Sequence, residues 1–343
     1  MTLIKGTEKI LVIQFRPVGD VLLTTPVIEY LKKKFPEIEV SFLTYEHFYP
    51  VLQGNPFIDK VIKIKNVSKK GIINFLKYVV YRSSIIKAIR KEKFNIVMDY
   101  IGLPSSAIMT FLSGAQYRVG YGHHKGRGLL YNIKALRSTE VYTVSKKYDL
   151  VRALGIDIDA PVIDAKIYLT DKDKEYAEEL FERYGLNSKF TVLFSPDSPR
   201  QYKKWDIESY GELGRILAER FKASILLLHG PGEKEYCKKL GDIIGEAAIL
   251  LPDTGLLQAA AIMEKVSVAV FNCGGMKHIS VAVKTPSITI FSKTSPVVWH
   301  PPGLKWALYI KKEYTLGDGS FGATPEDVIK KIEELVNNRS SCL

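Results

Sequence analysis

The sequence predicts an α/β protein built on two doubly wound parallel sheets, and three observations predict it. Short, nearly continuous apolar runs alternate with helical patterns, the alternation comes in two blocks, and small polar or glycine-bearing loops follow the runs. In the first block Ile10 to Phe15 reads as a strand covered on both faces, and Val21, Leu22, Ile28 and Leu31 then recur at helical spacing. EVSFLTY, KVIKI and NIVMDY continue the series, with a basic helical stretch before the last. From about residue 115 to 165 the chain reads as irregular until KKYDLVRALG supplies a helix. The second block opens at FTVLFS (190–195) and continues through SILLLHG, AAILLP, VSVAVFN and SITIFS. Helical stretches lie near 206–220, 233–245, 256–264 and 276–283. A single core stops growing at roughly 250 to 300 residues. A chain of 343 residues is therefore read as two domains, 1–165 and 166–343, with the last helix able to pack back on the first.

The formal charge of +12 favours anionic partners, and it is concentrated in residues 69–93 and in GHHKGRG (122–128). In the former, Ile72, Ile73, Phe75, Leu76, Val79 and Val80 mingle with Lys77, Arg82, Lys87 and Arg90. One or two amphipathic helices there would suit an anionic membrane surface, or would pack on their own sheet with a solvated basic face. No RNA- or DNA-binding module accompanies the charge, so nucleic acid is not expected. The three cysteines, Cys237, Cys273 and Cys342, lack metal spacing and form no disulfide framework. No apolar run is long enough to span a bilayer and the opening residues lack a signal-peptide core, so a cytoplasmic location is expected.

Ligands of doubly wound folds bind beyond the carboxyl ends of the strands. The first such end carries Gly19 and Asp20, a bend and a carboxylate; any helix could use Asp20 as an N-cap, or it could serve chemistry. In the second block, Ser195 and Ser198 offer hydroxyls, Arg200, Lys203 and Lys204 offer charge, and Glu233 and Glu235 could meet ribose hydroxyls. Gly274 and Gly275 allow close backbone approach where a helix begins, a place that attracts phosphate. His278 lies in that helix's first turn, where it could face phosphates or pack against the sheet. Each loop alone is ordinary turn chemistry; together at one sheet edge they point to a nucleotide. The first strand is followed by RPVGD, which is not a dinucleotide fingerprint, and neither a Walker lysine motif nor a metal-ligand cluster is present.

KILVIQFRPVGDVLLTTPVIEYLKKKFPEIEVSFLTYE with QGNPFIDKVI, YRVGY (117–121), KKW (203–205), NCGGMKHIS (272–280) and TPSITIFSKTSPVVWHP resemble the lipopolysaccharide heptosyltransferases, glycosyltransferase family 9. The resemblance runs in order over nearly the whole chain. It implies a GT-B fold, two Rossmann-like domains facing a central cleft, with the acceptor on the N-terminal side and the nucleotide sugar on the C-terminal side. It also implies inverting transfer from an ADP-sugar to a lipopolysaccharide core or similar surface glycan, with no metal or other cofactor. The partners implied are a nucleotide-sugar donor and an anionic glycolipid, met peripherally at the inner face of the inner membrane through residues 69–93.

Carried over position by position, the resemblance makes Asp20 the general base and places Arg16, Gly19, Arg118 and Tyr121 on the acceptor side. Lys203 and Ser198 then meet the phosphates with the N–H groups of Gly274, Gly275 and Met276. Glu233 reaches the ribose, Thr254 and Leu256 wall the adenine, and His278 completes the donor side. One position departs from the pattern. The family's Asn-Asp-Ser/Thr-Gly loop reads Asn272, Cys273, Gly274, Gly275 here, so a thiol stands where a carboxylate contacts the donor sugar. Heptose, a related sugar, or a homologue that binds a nucleotide sugar without catalysis all fit that change.

Overall fold

The structure is a computed structural model that describes residues 3–15, 17–67, 70–122, 126–139, 141–162, 164–312 and 322–340. It divides into two units, Met1–Tyr168 and Leu169–Leu343.

The first unit holds β1 (Lys9–Ile13), α1 (Val18–Leu22), α2 (Thr25–Lys34), β2 (Glu39–Tyr45), β3 (Lys60–Ile64) and α3 (Ile72–Glu92). It continues with β4 (Ile96–Asp99), α4 (Pro104–Leu112), β5 (Tyr117–Tyr121), β6 (Ile133–Ala135) and α5 (Thr143–Arg152). Its strands are all parallel in the order β3-β2-β1-β4-β5-β6. Ile10 to Ile13 and Ile96 to Met98 are closed off from solvent, as central strands covered on both faces require. The first helix departs from the sequence reading. The N-cap of α1 is Pro17, extended at φ −72° and ψ 177°, while Gly19 and Asp20 are already the second and third residues of α1. Gly19 is not in the left-handed region, so no bend depends on it, and Asp20 is not a cap. The basic stretch forms one helix of 21 residues, α3, of which only Ile89 is buried. The region read as irregular contains β5 and β6 as well as α5.

The second unit opens with α6 (Asp171–Arg183), β7 (Thr191–Ser195), α7 (Ile207–Phe221), β8 (Ser224–Leu227), α8 (Lys234–Ile244), β9 (Ala248–Leu250) and α9 (Leu256–Lys265). There follow β10 (Val268–Asn272), α10 (Gly275–Ala282), β11 (Ser287–Ile290), α11 (Pro296–Trp299), β12 (Ala307–Ile310) and α12 (Pro325–Ser340). This sheet is also parallel, ordered β12-β11-β10-β7-β8-β9, so counted from β7 it repeats the strand order of the first unit. Helix starts are set locally: Thr170 and Asp173 form a capping box on α6, and the Asp206 carboxylate accepts the Ser209 N–H at the head of α7. Trp205, Tyr210, Phe194 and Leu217 anchor the core, and α12 adds Val328, Ile329, Ile332 and Leu335 to it.

Candidate functional site

In each sheet the strand order reverses between its first and fourth strands, and the loops leaving those two strands diverge into a crevice. In the first unit these loops follow β1 and β4. Asp20 stands on α1, about one-fifth exposed, with the Lys147 ammonium 3.1 Å from its Oδ1. Lys147 comes from α5, where Val144, Tyr148 and Val151 occupy the same buried stripe. Its Nζ also lies 5.6 Å from the centre of the Tyr100 ring. The lysine is nearly sealed from solvent while the carboxylate stays partly open to it.

The loop after β4 is braced from within. Asp99 Oδ1 accepts the N–H groups of Ile101 and Gly102, both at 3.0 Å, and its Oδ2 accepts the Tyr131 hydroxyl at 2.8 Å. Burial pushes the Asp99 carboxyl up, against those hydrogen bonds. Tyr131 reaches it only by crossing Gly120, where a Cβ would stand 2.5 Å from the ring. Tyr121 ends β5 and donates to the Lys146 carbonyl at 3.0 Å. Burial first, then the Asp149 and Asp20 carboxylates, drive its phenol up, which puts Tyr121 and Asp20 in one electrostatic neighbourhood. Arg118 sits near the amino end of β5 and donates to the carbonyls of Ala115 at 3.0 Å and Leu130 at 3.3 Å; the structure does not join it to Asp20. Arg16 lies outside the described residues.

In the second unit the two loops follow β7 and β10, and Asn272 ties them together. Its Nδ2 donates to the Pro196 carbonyl at 2.6 Å and its Oδ1 accepts the Trp205 N–H at 3.0 Å. Trp205 is buried with its indole N–H on the Ala323 carbonyl, so the KKW segment is pinned at its far end. Lys203 then lies across the opening of α10, its ammonium 3.1 Å from the Cys273 carbonyl. Gly274 precedes α10 in an extended conformation and no side chain caps it, leaving the N–H groups of Gly275, Met276 and Lys277 without intrahelical acceptors. Ser198 is buried in the β7 loop, its N–H donating to Asp197, which also pairs with Lys204.

Lys277 adds a second cation. It is almost fully buried, donates to the Trp299 carbonyl at 2.5 Å, and lies 5.1 Å from the Phe291 ring centre. Burial, and then the charge of Lys203, lower its ammonium to about 8. His278 is buried against Trp299 at 6.2 Å between ring centres, and burial with the adjacent cations holds it well below the usual imidazole range. It therefore stands here as a neutral ring. Cys273 is a free, buried thiol.

The remaining candidates stand on neighbouring loops of the same sheet edge. Glu233 closes the β8 loop by accepting the Gly230 N–H at 2.7 Å. Leu256 begins α9, and the buried Thr254 hydroxyl before it has no hydrogen-bond partner among the described residues. Three side chains at these strand ends escaped the sequence reading. Lys147 sits on a largely apolar helical stripe, and a lysine at such a position is the signal that could have found it, whereas Lys277 lies in a short helix beside buried His278, Ile279 and Ser280 and gave no such signal. Asp99 ends a buried strand directly beside β1, and the topology alone could have singled it out.

The family model described as glycosyltransferase family 9 (heptosyltransferase) matches residues 82–320. Lipopolysaccharide heptosyltransferase 3 of Escherichia coli is 25% identical over 301 residues, covering 82% of each chain. A glycosyltransferase family 9 crystal structure from Veillonella parvula superposes with a TM-score of 0.84 at 18% identity, covering 98% of this chain and 99% of that one. The E. coli heptosyltransferase WaaC with ADP-2-deoxy-2-fluoro heptose gives 0.73 at 20% identity, covering 95% and 99%. These structures share the two-unit α/β fold. With about seven-tenths of its length under the family model and both switch points furnished as described, the chain belongs to glycosyltransferase family 9 and is a glycosyltransferase.

Proposed function

We propose that this protein is an inverting, metal-independent transferase that moves heptose or a related sugar from an ADP-sugar to a lipopolysaccharide core or similar surface glycan. The observation that carries the reading is the Lys147-oriented carboxylate of Asp20 at the switch point of the first unit. The acceptor oxygen attacks the anomeric carbon, the bond from that carbon to the diphosphate oxygen breaks with its electron pair leaving on ADP, and the acceptor proton passes to Asp20. A carboxylate of pKa ~4 is a weak base toward an alcohol, but the hydroxyl acidifies as its bond to carbon forms, so proton transfer runs late. The leaving charge is met by Lys203 and the open N–H groups at the head of α10, with the buried Lys277 ammonium behind them. Transfer without a metal predicts full activity in EDTA.

Acceptor delivery is assigned to α3, whose exposed Ile72, Ile73, Leu76 and Val80, with Lys77 among them and Arg82, Lys87 and Arg90 after them, suit peripheral contact with an anionic membrane. No helix among the described residues is long and apolar enough to cross a bilayer. An ADP-release assay tests the whole: release from ADP-heptose that depends on acceptor, survives EDTA and vanishes in Asp20→Asn supports the transferase. A second reading, a homologue that binds a nucleotide sugar without transfer, is favoured by one observation, the buried Cys273 thiol in the donor loop. Tight ADP binding with no turnover over a panel of ADP-sugars and acceptors would establish it instead.

A further inference from the structure

Outside the two switch points, the first unit has a groove of about 580 Å³ between α3 and α4. Val79 and Ile86 form one wall, Leu103, Ile108 and Leu112 the other, and Arg82 lies in it. The environment of that arginine is unusual. Its Nη2 donates to the Tyr45 hydroxyl at 3.1 Å, its Nη1 approaches the Met109 sulfur at 3.8 Å, and the guanidinium carbon lies 5.2 Å from the Tyr78 ring centre. None of these partners carries negative charge. Its Nε–H is buried and unpaired, and Arg82 makes no ion pair among the described residues. The segments that contribute both walls, residues 60–91 and 100–139, contain no Asp or Glu. A guanidinium anchored by neutral groups at the edge of an apolar trough is complementary to an anion joined to a hydrocarbon.

We propose that this groove binds an anionic lipid, one acyl chain lying along the apolar walls and the phosphate seated on Arg82. A peptide strand is a poorer occupant, because the walls are helices whose backbone groups are already paired internally and would leave its own N–H and C=O groups unmatched. A bare phosphate would use the arginine and leave the trough empty. The inference builds on the reading of α3 as a membrane-docking helix but concerns different side chains, so the two fail separately.

The test is calorimetric titration of the full chain, below micelle formation, with dodecyl phosphate, dodecyl maltoside and inorganic phosphate. Saturable one-to-one binding of dodecyl phosphate is expected, at least tenfold weaker for the uncharged amphiphile and at least tenfold weaker in Arg82→Gln. Ile108→Lys, at a position about half exposed and so tolerant of the change, should block the chain and abolish binding even if Arg82→Gln fails to fold. Equal binding of the two amphiphiles, unchanged binding in Ile108→Lys, or displacement by equimolar inorganic phosphate would overturn the proposal. Ile73→Ser with Val80→Ser should reduce binding to phosphatidylglycerol vesicles while leaving the dodecyl phosphate titration intact. Vesicle binding lost by the wild-type chain with the titration preserved would sink the docking reading alone; the reverse would sink only the groove.

Discussion

The two units share one strand order yet carry opposite electrostatics at the same topological point. In the first, the loop after the leading strand ends in an acid answered by a single lysine, Asp20 with Lys147. In the second, the equivalent crevice gathers Lys203, Lys277 and an uncapped helix start, and the carboxylate of the β7 loop, Asp197, is already paired with Lys204. The backbone supplies the crevice in both cases; under the proposed function a few side chains decide whether it handles a proton or a diphosphate.

The largest expected effect tests the acid. Asp20→Asn should lower kcat by about 10²- to 10⁴-fold, the usual scale of general-base catalysis, while leaving the ADP dissociation constant unchanged. Weakened ADP binding in that variant would break the division of labour. Lys203→Ala should act the other way, weakening ADP by roughly 10- to 100-fold, the equivalent of about 1.5 to 3 kcal/mol for a charge-assisted contact. Calorimetry checks it, and unchanged affinity would remove the diphosphate from this crevice.

A pH titration sharpens the comparison further. Lys277 is charged below its lowered value of about 8 and neutral above it, so ADP affinity should fall as pH rises through 8. Binding near pH 8 to 9 should take up a proton, detectable as a buffer-dependent heat, because the diphosphate favours the charged ammonium. Lys277→Met should flatten that profile. The smallest effect is expected from Cys273→Asp, which should shift preference toward a heptose donor by a few-fold in competition between ADP-sugars. An unaltered preference would mean the sugar is read elsewhere.

Much of this was legible beforehand because parallel strands buried on both faces write themselves as continuous apolar runs, as in ILVI and VAVF. The glycine-bearing turn into α10 was equally plain. Strands β6 and β12 were not, since they are short sheet-edge segments with partly exposed residues, Ile133 and Lys134 in one and Leu308 and Tyr309 in the other. Site lysines escaped for a related reason. A reading that sorts residues by polarity expects Lys147 and Lys277 in water, whereas each is carried inward by its helix and satisfied there, by Asp20 and by the Trp299 carbonyl. Gly19 misled in the opposite sense, because a glycine beside a strand end suggests a bend, whereas Gly19 lies inside α1.

Lys203 takes hold of residue 273 by its main-chain oxygen. Whatever side chain mutation installs at that position, the oxygen stays, and the lysine keeps its perch. Under the proposed function, sugar preference could then change at one codon while the leaving-group clamp is inherited untouched, a separation that would let members of such a family diversify by single substitutions.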